Sequence, residues 1–376
     1  MRKKLSTLEA TCLVAGAGIG GGVMAVPYLA QKAGLVSSII IAVIAYAVTL
    51  VLHIMVAELS VRTDYSGELL TVFTKHLFRG KKPLQIGFYI LMAVTLICNL
   101  AAYITGSGEI LSQLLSVPLI VGKITFFILA AVVVFLGLKK IAVNEVVTLA
   151  MMFLFLGIMA VLSFIKPGAI APASPAPVPM LAVYGMIMFS LSSLFAVPQA
   201  ASGLSHSRKK LVLSVILGLA INLIVTVTIM VCVLFCSESV TEVAVVGWTK
   251  ALGPAVNVLG SLFVFLAMLG TFWSISLQLC DMTGAFFGIK HRLSWLVGTL
   301  PCFVVAILPI SGFLDLMQIA GGATAVIVAL MVVPAYNNSI RAASHREILL
   351  GRIGKNTLLV YAVMLMYLLM AISSFL

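Results

Sequence analysis

The chain has 376 residues, of which 62% are hydrophobic and 9% charged, and its mean hydropathy is +1.23. That composition lies far from soluble globular domains and predicts a polytopic, all-α integral membrane protein with no separate soluble domain. The net charge of +12 is read by its distribution among loops and not as a nucleic-acid footprint, since Lys and Arg in membrane proteins report orientation.

A membrane-crossing helix needs roughly 20 apolar residues, and about eleven such stretches follow one another. The first, at about 8–30, follows Arg2, Lys3 and Lys4 and is expected to be retained, being too long and too glycine-rich for a signal segment. It contains Ala15-Gly-Ala-Gly-Ile-Gly-Gly-Gly-Val-Met-Ala-Val-Pro27. Each glycine costs about 1 kcal/mol against alanine in a helix, so this run predicts an opened backbone. In hydrocarbon an opened backbone is tolerated only where it is buried or lines a cavity, which points to a binding site. The competing reading is a packing seam built on the GxxxG spacing of Gly18 and Gly22.

Segment two covers about 36–61, and a basic polar loop with Lys75, His76, Arg79, Lys81 and Lys82 runs to about 83. Segment three (85–115) is long enough to be strongly tilted, segment four (124–138) ends at Lys139 and Lys140, and segment five returns over 141–165. A proline-rich connector at 166–179 reads as an extended, semi-rigid link between two halves. Segment six (180–204) carries the interruption Phe189-Ser-Leu-Ser-Ser-Leu-Phe195, with Pro198 after it and Arg208, Lys209 and Lys210 beyond. Segment seven spans 211–236; the stretch 237–254, with Glu238 and Glu242, is expected to include a short surface helix. Segment eight (256–288), segment nine (293–308, behind Lys290 and Arg292) and segment ten (313–335, with Gly321-Gly322) follow. A basic loop with Arg341, Arg346, Arg352 and Lys355 leads to segment eleven, 357–375.

With a cytoplasmic N-terminus and eleven spans, only Lys32, Lys123, Lys166 and Lys250 of the 23 Lys and Arg residues fall outside. The C-terminus is then periplasmic or extracellular. The chain thus reads as one membrane transport domain: a first five-helix repeat at about 8–165, a second at about 180–335, and an extra helix at 357–375. An odd number of spans per half inverts the second repeat. Segments one and six are then corresponding helices, each broken near its middle, which is the sequence pointer to an inverted-repeat transporter site.

Four stretches carry a resemblance to a known family: the glycine run to Pro27, Ala102-Tyr-Ile-Thr-Gly-Ser-Gly-Glu109, Leu277-Gln-Leu-Cys-Asp281, and Gly312-Phe-Leu-Asp-Leu-Met-Gln-Ile-Ala-Gly321 with Val333-Pro334. They resemble the hydroxy and aromatic amino-acid permeases (tryptophan/tyrosine permease-like), within the amino acid/auxin permease group of the APC superfamily and the leucine-transporter-type fold. The resemblance implies a multi-pass protein of the bacterial inner membrane that imports an aromatic amino acid, tyrosine or tryptophan, by proton symport and alternating access. The alternatives are sodium-coupled transport of another neutral amino acid and a non-transporting amino-acid sensor of the same fold.

A zwitterion brought to the bilayer centre needs partners for both charged ends. Backbone N–H groups around Gly18, Gly20, Gly21 and Gly22 can hold a carboxylate at a half-helix N-terminus, and carbonyls near Ala15, Ala17 and Phe189 can take an ammonium. Tyr103 resembles the tyrosine that meets the substrate carboxylate in leucine-transporter-type proteins; the alternative is a tyrosine packed between helices. Asn99, Ser190, Ser192, Ser193, Phe195 and Gln278 are candidates for the side-chain pocket.

For coupling, intramembrane ionisable residues are the place to look. Glu58, Glu109, Glu145 and Asp281 qualify, although for Glu58 and Glu145 an interfacial ion pair, with Lys139 or Lys140, is the competing reading. His53 is either a titrating group or a satisfied packing histidine. Sodium-coupled relatives hold a cation between segment one and hydroxyls of segment eight, where Thr271 and Ser274 stand, but Phe272 replaces the serine that usually follows the threonine. Segment five carries Met151, Met152 and Phe153 in place of the lysine that replaces sodium in some proton-coupled relatives. The partners expected are therefore an amino acid, a proton in preference to sodium, and lipid. The six cysteines, Cys12, Cys98, Cys232, Cys236, Cys280 and Cys302, show no CxxC pairing or histidine cluster, so neither a metal nor a cofactor is expected. No HExxH motif or Ser/His pair suggests an enzyme, and no continuous polar lining suggests a channel.

Overall fold

A computed structural model describes residues 4–165, 176–204, 207–236, 240, 244, 248, 252–308, 312–342, 349–351 and 353–374. All regular structure among them is helical. The first apolar segment is two helices, α1 (Thr7–Gly18) and α2 (Gly21–Ala33), meeting at a bend of 51°. A capping box between Ser6 and Glu9 starts α1, and the chain leaves helical geometry at Ile19 and Gly20, whose extended backbone caps α2 without a side-chain hydrogen bond. Gly34, at φ +90°, turns the chain into α3 (Leu35–Arg62).

The expected basic loop after α3 is largely helical. Leu69–Phe73 forms α4, and Thr74–Phe78 continues it as a π turn. The reason is apolar content: Leu69, Leu70, Val72 and Phe73 are buried, and Phe73 packs edge-on to Phe88 with ring centroids 5.0 Å apart. Next come α5 (Lys82–Leu115), α6 (Leu119–Leu136) and α7 (Leu138–Ile165). At 1.5 Å per residue, the 34 residues of α5 reach about 51 Å, well beyond the hydrocarbon thickness of about 30 Å, so this helix tilts or projects.

Helix α8 (Pro177–Ser190) begins inside the stretch expected to be extended. Pro177 opens it because a first-turn proline loses no intrahelical hydrogen bond. The rest of that connector, 166–175, lies outside the described residues, as does most of the surface helix expected within 237–254. After the interruption come α9 (Ala196–Gly203), α10 (Arg208–Cys236), α11 (Pro254–Phe287), α12 (His291–Ile307) and α13 (Phe313–Ile327). A π turn at Val328–Val332 leads into α14 (Val333–Arg341). Pro334 cannot donate to the carbonyl four residues back, which accounts for the widened turn. Helix α15 (Thr357–Ser373) closes the described chain.

Among the described residues seven helices are long and apolar enough to cross a membrane, eight with the bent α1/α2 pair counted as one span, and the apolar helices Leu69–Phe78, Pro177–Ser190, His291–Ile307 and Thr357–Ser373 are shorter. The buried share of the apolar stretch rises from 28% in α6 to 67% in α11, so α6 lies at the rim and α11 at the centre. The broken helices sit in the middle: α1 packs on α10, α7 and α11, and α2 packs on α8. Large apolar side chains such as Ile40, Val43, Leu129, Leu154 and Val161 face outward, as lipid contact requires.

Candidate functional site

The two interrupted segments meet. A Cβ on Gly22 would stand 3.0 Å from the Phe189 ring and 3.2 Å from the Ser190 Cα, and one on Gly18 would overlap the Asn222 amide. The glycines therefore serve both readings at once: they open the backbone and they let the segments approach. Ser193, inside the second break, ties the two together. Its hydroxyl donates to the Val14 carbonyl of α1 at 2.7 Å, and its backbone N–H donates to His53 Nε2 at 2.8 Å. The Asn222 amide donates to the same hydroxyl at 3.2 Å.

The Thr271 hydroxyl of α11 lies 3.1 Å from the Gly16 carbonyl, 3.2 Å from that of Ile19 and 3.1 Å from that of Ala267. One hydroxyl proton serves one of these at a time, so the last turn of α1 keeps open acceptors. Tyr103, from α5, directs its hydroxyl at Gly21 and Thr271.

Around these groups lies a cavity of about 20 Å³ lined by Ala17, Gly18, Gly20, Gly22, Asn99, Tyr103, Phe189, Ser190, Ser192, Ser193, Phe195 and Thr271, together with Ile275 and Thr324. That is room for about one water molecule. Asn99 Oδ1 and Thr324 Oγ1 are buried and have no hydrogen-bond partner among the described residues.

Ile275 and Thr324 are lining residues that the sequence reading missed. Ile275 stands one turn after Thr271, on the same helical face, and Thr324 one turn after the Gly321-Gly322 pair; these spacings were the available signals.

Other candidates do not line this cavity. Ala15 is buried with its carbonyl accepting the Ile19 N–H at 3.1 Å, and Gly21 faces Phe313 and Met317. Gln278 and Ser274 are buried away from the cavity. Glu58 pairs with Arg62 and accepts the Leu349 N–H at 2.7 Å, fastening the end of α3. Glu109 is exposed near the end of α5.

Asp281 lines a separate cavity of about 530 Å³ with Asp64, Glu68 and His291. Burial pushes the Glu68 carboxyl up, against hydrogen bonds from Thr71, and nearby Asp281 adds to the effect. Phe189 separates the central cavity from a third one of about 220 Å³, lined by Tyr28, Lys32 and Gln318, and its ring packs over Gly321.

One expectation about charge is corrected and one alternative is resolved. Lys139 pairs with Glu9 at 2.5 Å, not with Glu145, because the capping box holds the Glu9 carboxylate at the mouth of α1 facing the start of α7. His53 is a satisfied histidine: Nε2 accepts the Ser193 N–H, so Nδ1 carries the proton and donates to the Thr49 carbonyl at 2.7 Å. Thr271 has no adjacent hydroxyl, since Phe272 follows it and packs edge-on against Phe126. Among the described residues no group of three His, Cys, Asp or Glu could hold a metal ion.

The fold is shared with solved transporters. MhsT in complex with L-phenylalanine superposes with a TM-score of 0.70 at 15% identity, covering 99% of this chain and 100% of that one. The Eremococcus coleocola manganese transporter in complex with an aromatic bis-isothiourea substituted compound gives 0.67 at 16% identity, covering 99% and 88%. At such identities the likeness establishes a leucine-transporter-type fold and not a substrate. No curated protein sequence matches significantly. The sequence itself decides the family: residues 3–374 match the profile described as the tryptophan/tyrosine permease family, and the chain, a multi-pass membrane permease and not an enzyme, belongs to that family.

Proposed function

We propose that this permease imports an aromatic amino acid, tyrosine or tryptophan, together with a proton across the bacterial inner membrane by alternating access. In this reading α8 with α9, α12 and α15 join the eight longer spans to give eleven, with the N-terminus cytoplasmic and the C-terminus outside. The two five-helix repeats bring their broken first helices together at mid-membrane.

The observation that carries the reading is the meeting of the two breaks around one buried polar cavity. Helix α2 starts at Gly21 with no side-chain cap, so its first N–H groups and positive dipole end suit a substrate carboxylate. The open carbonyls at the end of α1 suit the ammonium. Asn99 Oδ1 and Thr324 Oγ1, buried and unpartnered, suit the phenol hydroxyl or indole N–H that distinguishes tyrosine and tryptophan from phenylalanine. A cavity of about 20 Å³ admits no aromatic ring, so loading requires Phe189 and Phe195 to swing aside.

Uptake of labelled tyrosine and tryptophan into proteoliposomes under imposed pH or sodium gradients tests the reading. Accumulation driven by an inward proton gradient is the expected result. Sodium-driven uptake would replace the proton, binding without flux would make the protein a sensor, and neither binding nor flux would refute the proposal.

A further inference from the structure

Glu145 has no place in the site described above, and its surroundings are unusual. It lies seven residues into α7, fully buried, and neither carboxyl oxygen has a hydrogen-bond partner among the described residues. The carboxyl fills space that two glycines leave open. A Cβ on Gly16 of α1 would overlap it, and one on Gly270 of α11 would come within 2.8 Å of Oε2 and 2.9 Å of Oε1. Both glycines adjoin the substrate machinery: Gly16 offers its carbonyl to Thr271, and Gly270 is the residue before Thr271. The carboxyl and the Thr271 hydroxyl thus press on the same last turn of α1 from two sides.

The titratable groups facing this position are few. From α1 they are Cys12, one turn below Gly16, and Glu9, already held by Lys139. From α10 the charges are Arg208, Lys209 and Lys210 at its very start, and from α6 Lys123, which donates to the Ala306 carbonyl. On α11 Asp281 follows Gly270 by about 16 Å of helix. None neutralises a carboxylate at Glu145, and the end of α1 presents carbonyl oxygens and the negative pole of its dipole. An unpartnered carboxylate in such an enclosure is very costly, while a carboxylic acid is tolerated.

We propose that Glu145 is the proton-carrying group of this transporter: as the neutral acid it lets the cytoplasmic half of α1 close against α7 and α11, and it releases its proton to water when that half moves away. This rests on the proton-symport reading. The step is a proton transfer alone. The O–H bond of the acid breaks toward a cytoplasmic water, leaving a carboxylate that only a hydrated, opened site accepts, and the acid re-forms from water reaching it through the central cavity in the outward-facing state. The Glu9–Lys139 pair at the mouth of α1 must part for that water to enter.

The test compares E145Q with the native protein in proteoliposomes. The amide mimics the neutral acid, so E145Q should bind tyrosine and exchange labelled for unlabelled tyrosine within about threefold of the native rate. Accumulation driven by an inward pH gradient, and the accompanying acidification of the lumen read by a trapped dye, should fall at least tenfold. Native-like accumulation by E145Q overturns the inference and leaves the transport reading intact; loss of binding and exchange in an inserted E145Q also overturns it, assigning Glu145 a structural role. Absence of proton-driven uptake in the native protein instead defeats the reading beneath it. Should E145Q fail to insert, substrate-induced infrared difference spectra of the native protein and E145D decide: a carboxylic-acid C=O band that changes with substrate and moves in E145D is expected, and its absence overturns the inference.

Discussion

His53 Nε2 accepts the backbone N–H of Ser193 at 2.8 Å, although 140 residues separate the two. A helix-breaking segment exposes N–H groups that hydrocarbon cannot satisfy, and this imidazole, locked by its Nδ1 donation to Thr49, supplies the acceptor. His53→Leu leaves that buried N–H unpaired, at a cost of about 1–3 kcal/mol. Thermal unfolding in detergent should fall by several degrees and uptake by at least tenfold. His53→Gln, whose amide oxygen can accept the same bond, should recover part of both.

Gly20 and Gly21 face different neighbours, and substitutions should separate them. A Cβ on Gly20 meets the Thr271 hydroxyl at 2.7 Å and the Tyr103 hydroxyl at 2.9 Å, whereas one on Gly21 meets the ends of Phe313 and Met317. Gly20→Ala should therefore depress uptake more than Gly21→Ala, whose flexible neighbours can move. Either residue changed to Val should abolish uptake with the protein still inserted, as measured by labelled uptake beside surface quantification. Undiminished transport would return the run to a packing role.

Asn99 offers an unpartnered acceptor to the cavity. Asn99→Leu removes it, so competition assays should show tyrosine losing affinity relative to phenylalanine by roughly 10–100-fold, the scale of about 1–3 kcal/mol for one buried hydrogen bond. An unchanged ratio would place the phenol hydroxyl elsewhere.

His76, in the π turn after α4, is held down to about 4 by burial and by the positive charges of Lys75 and Arg62. The unfolded chain takes up the proton near pH 6.5, so between about 4 and 6.5 the unfolded state binds more protons and stability rises with pH. The contribution is complete above pH 6.5 and is lost as pH falls toward 4. His76→Asn should flatten the unfolding temperature across that window; an unchanged slope would assign it to other groups.

What the sequence disclosed was what is encoded locally. Five glycines between Gly16 and Gly22 and the serines beside Phe189 disrupt their own helices, so both breaks could be read without knowing the fold. The pairing of Gly16 with Gly270 around Glu145 could not, because two glycines 254 positions apart become one recess only after α1 and α11 pack. Helical phase also proved insufficient by itself. Gln278 shares the stripe of Thr271 and Ile275, but at 1.5 Å per residue it sits about 10 Å beyond Thr271, past the cavity. Polar loops hide helices for a related reason: in 62–82 the charges are conspicuous, while Leu69, Leu70 and Phe73 dictate the local structure.

The smallness of the central cavity bears on the cell's energy supply. A space of about 20 Å³ holds one water and no chain of waters, so protons find no file of hydrogen bonds along which to hop through it. In this closed form the central site offers protons no continuous path. A cell can keep many copies in a polarised membrane without this site discharging it, and a solute crosses only as often as the helices themselves rearrange.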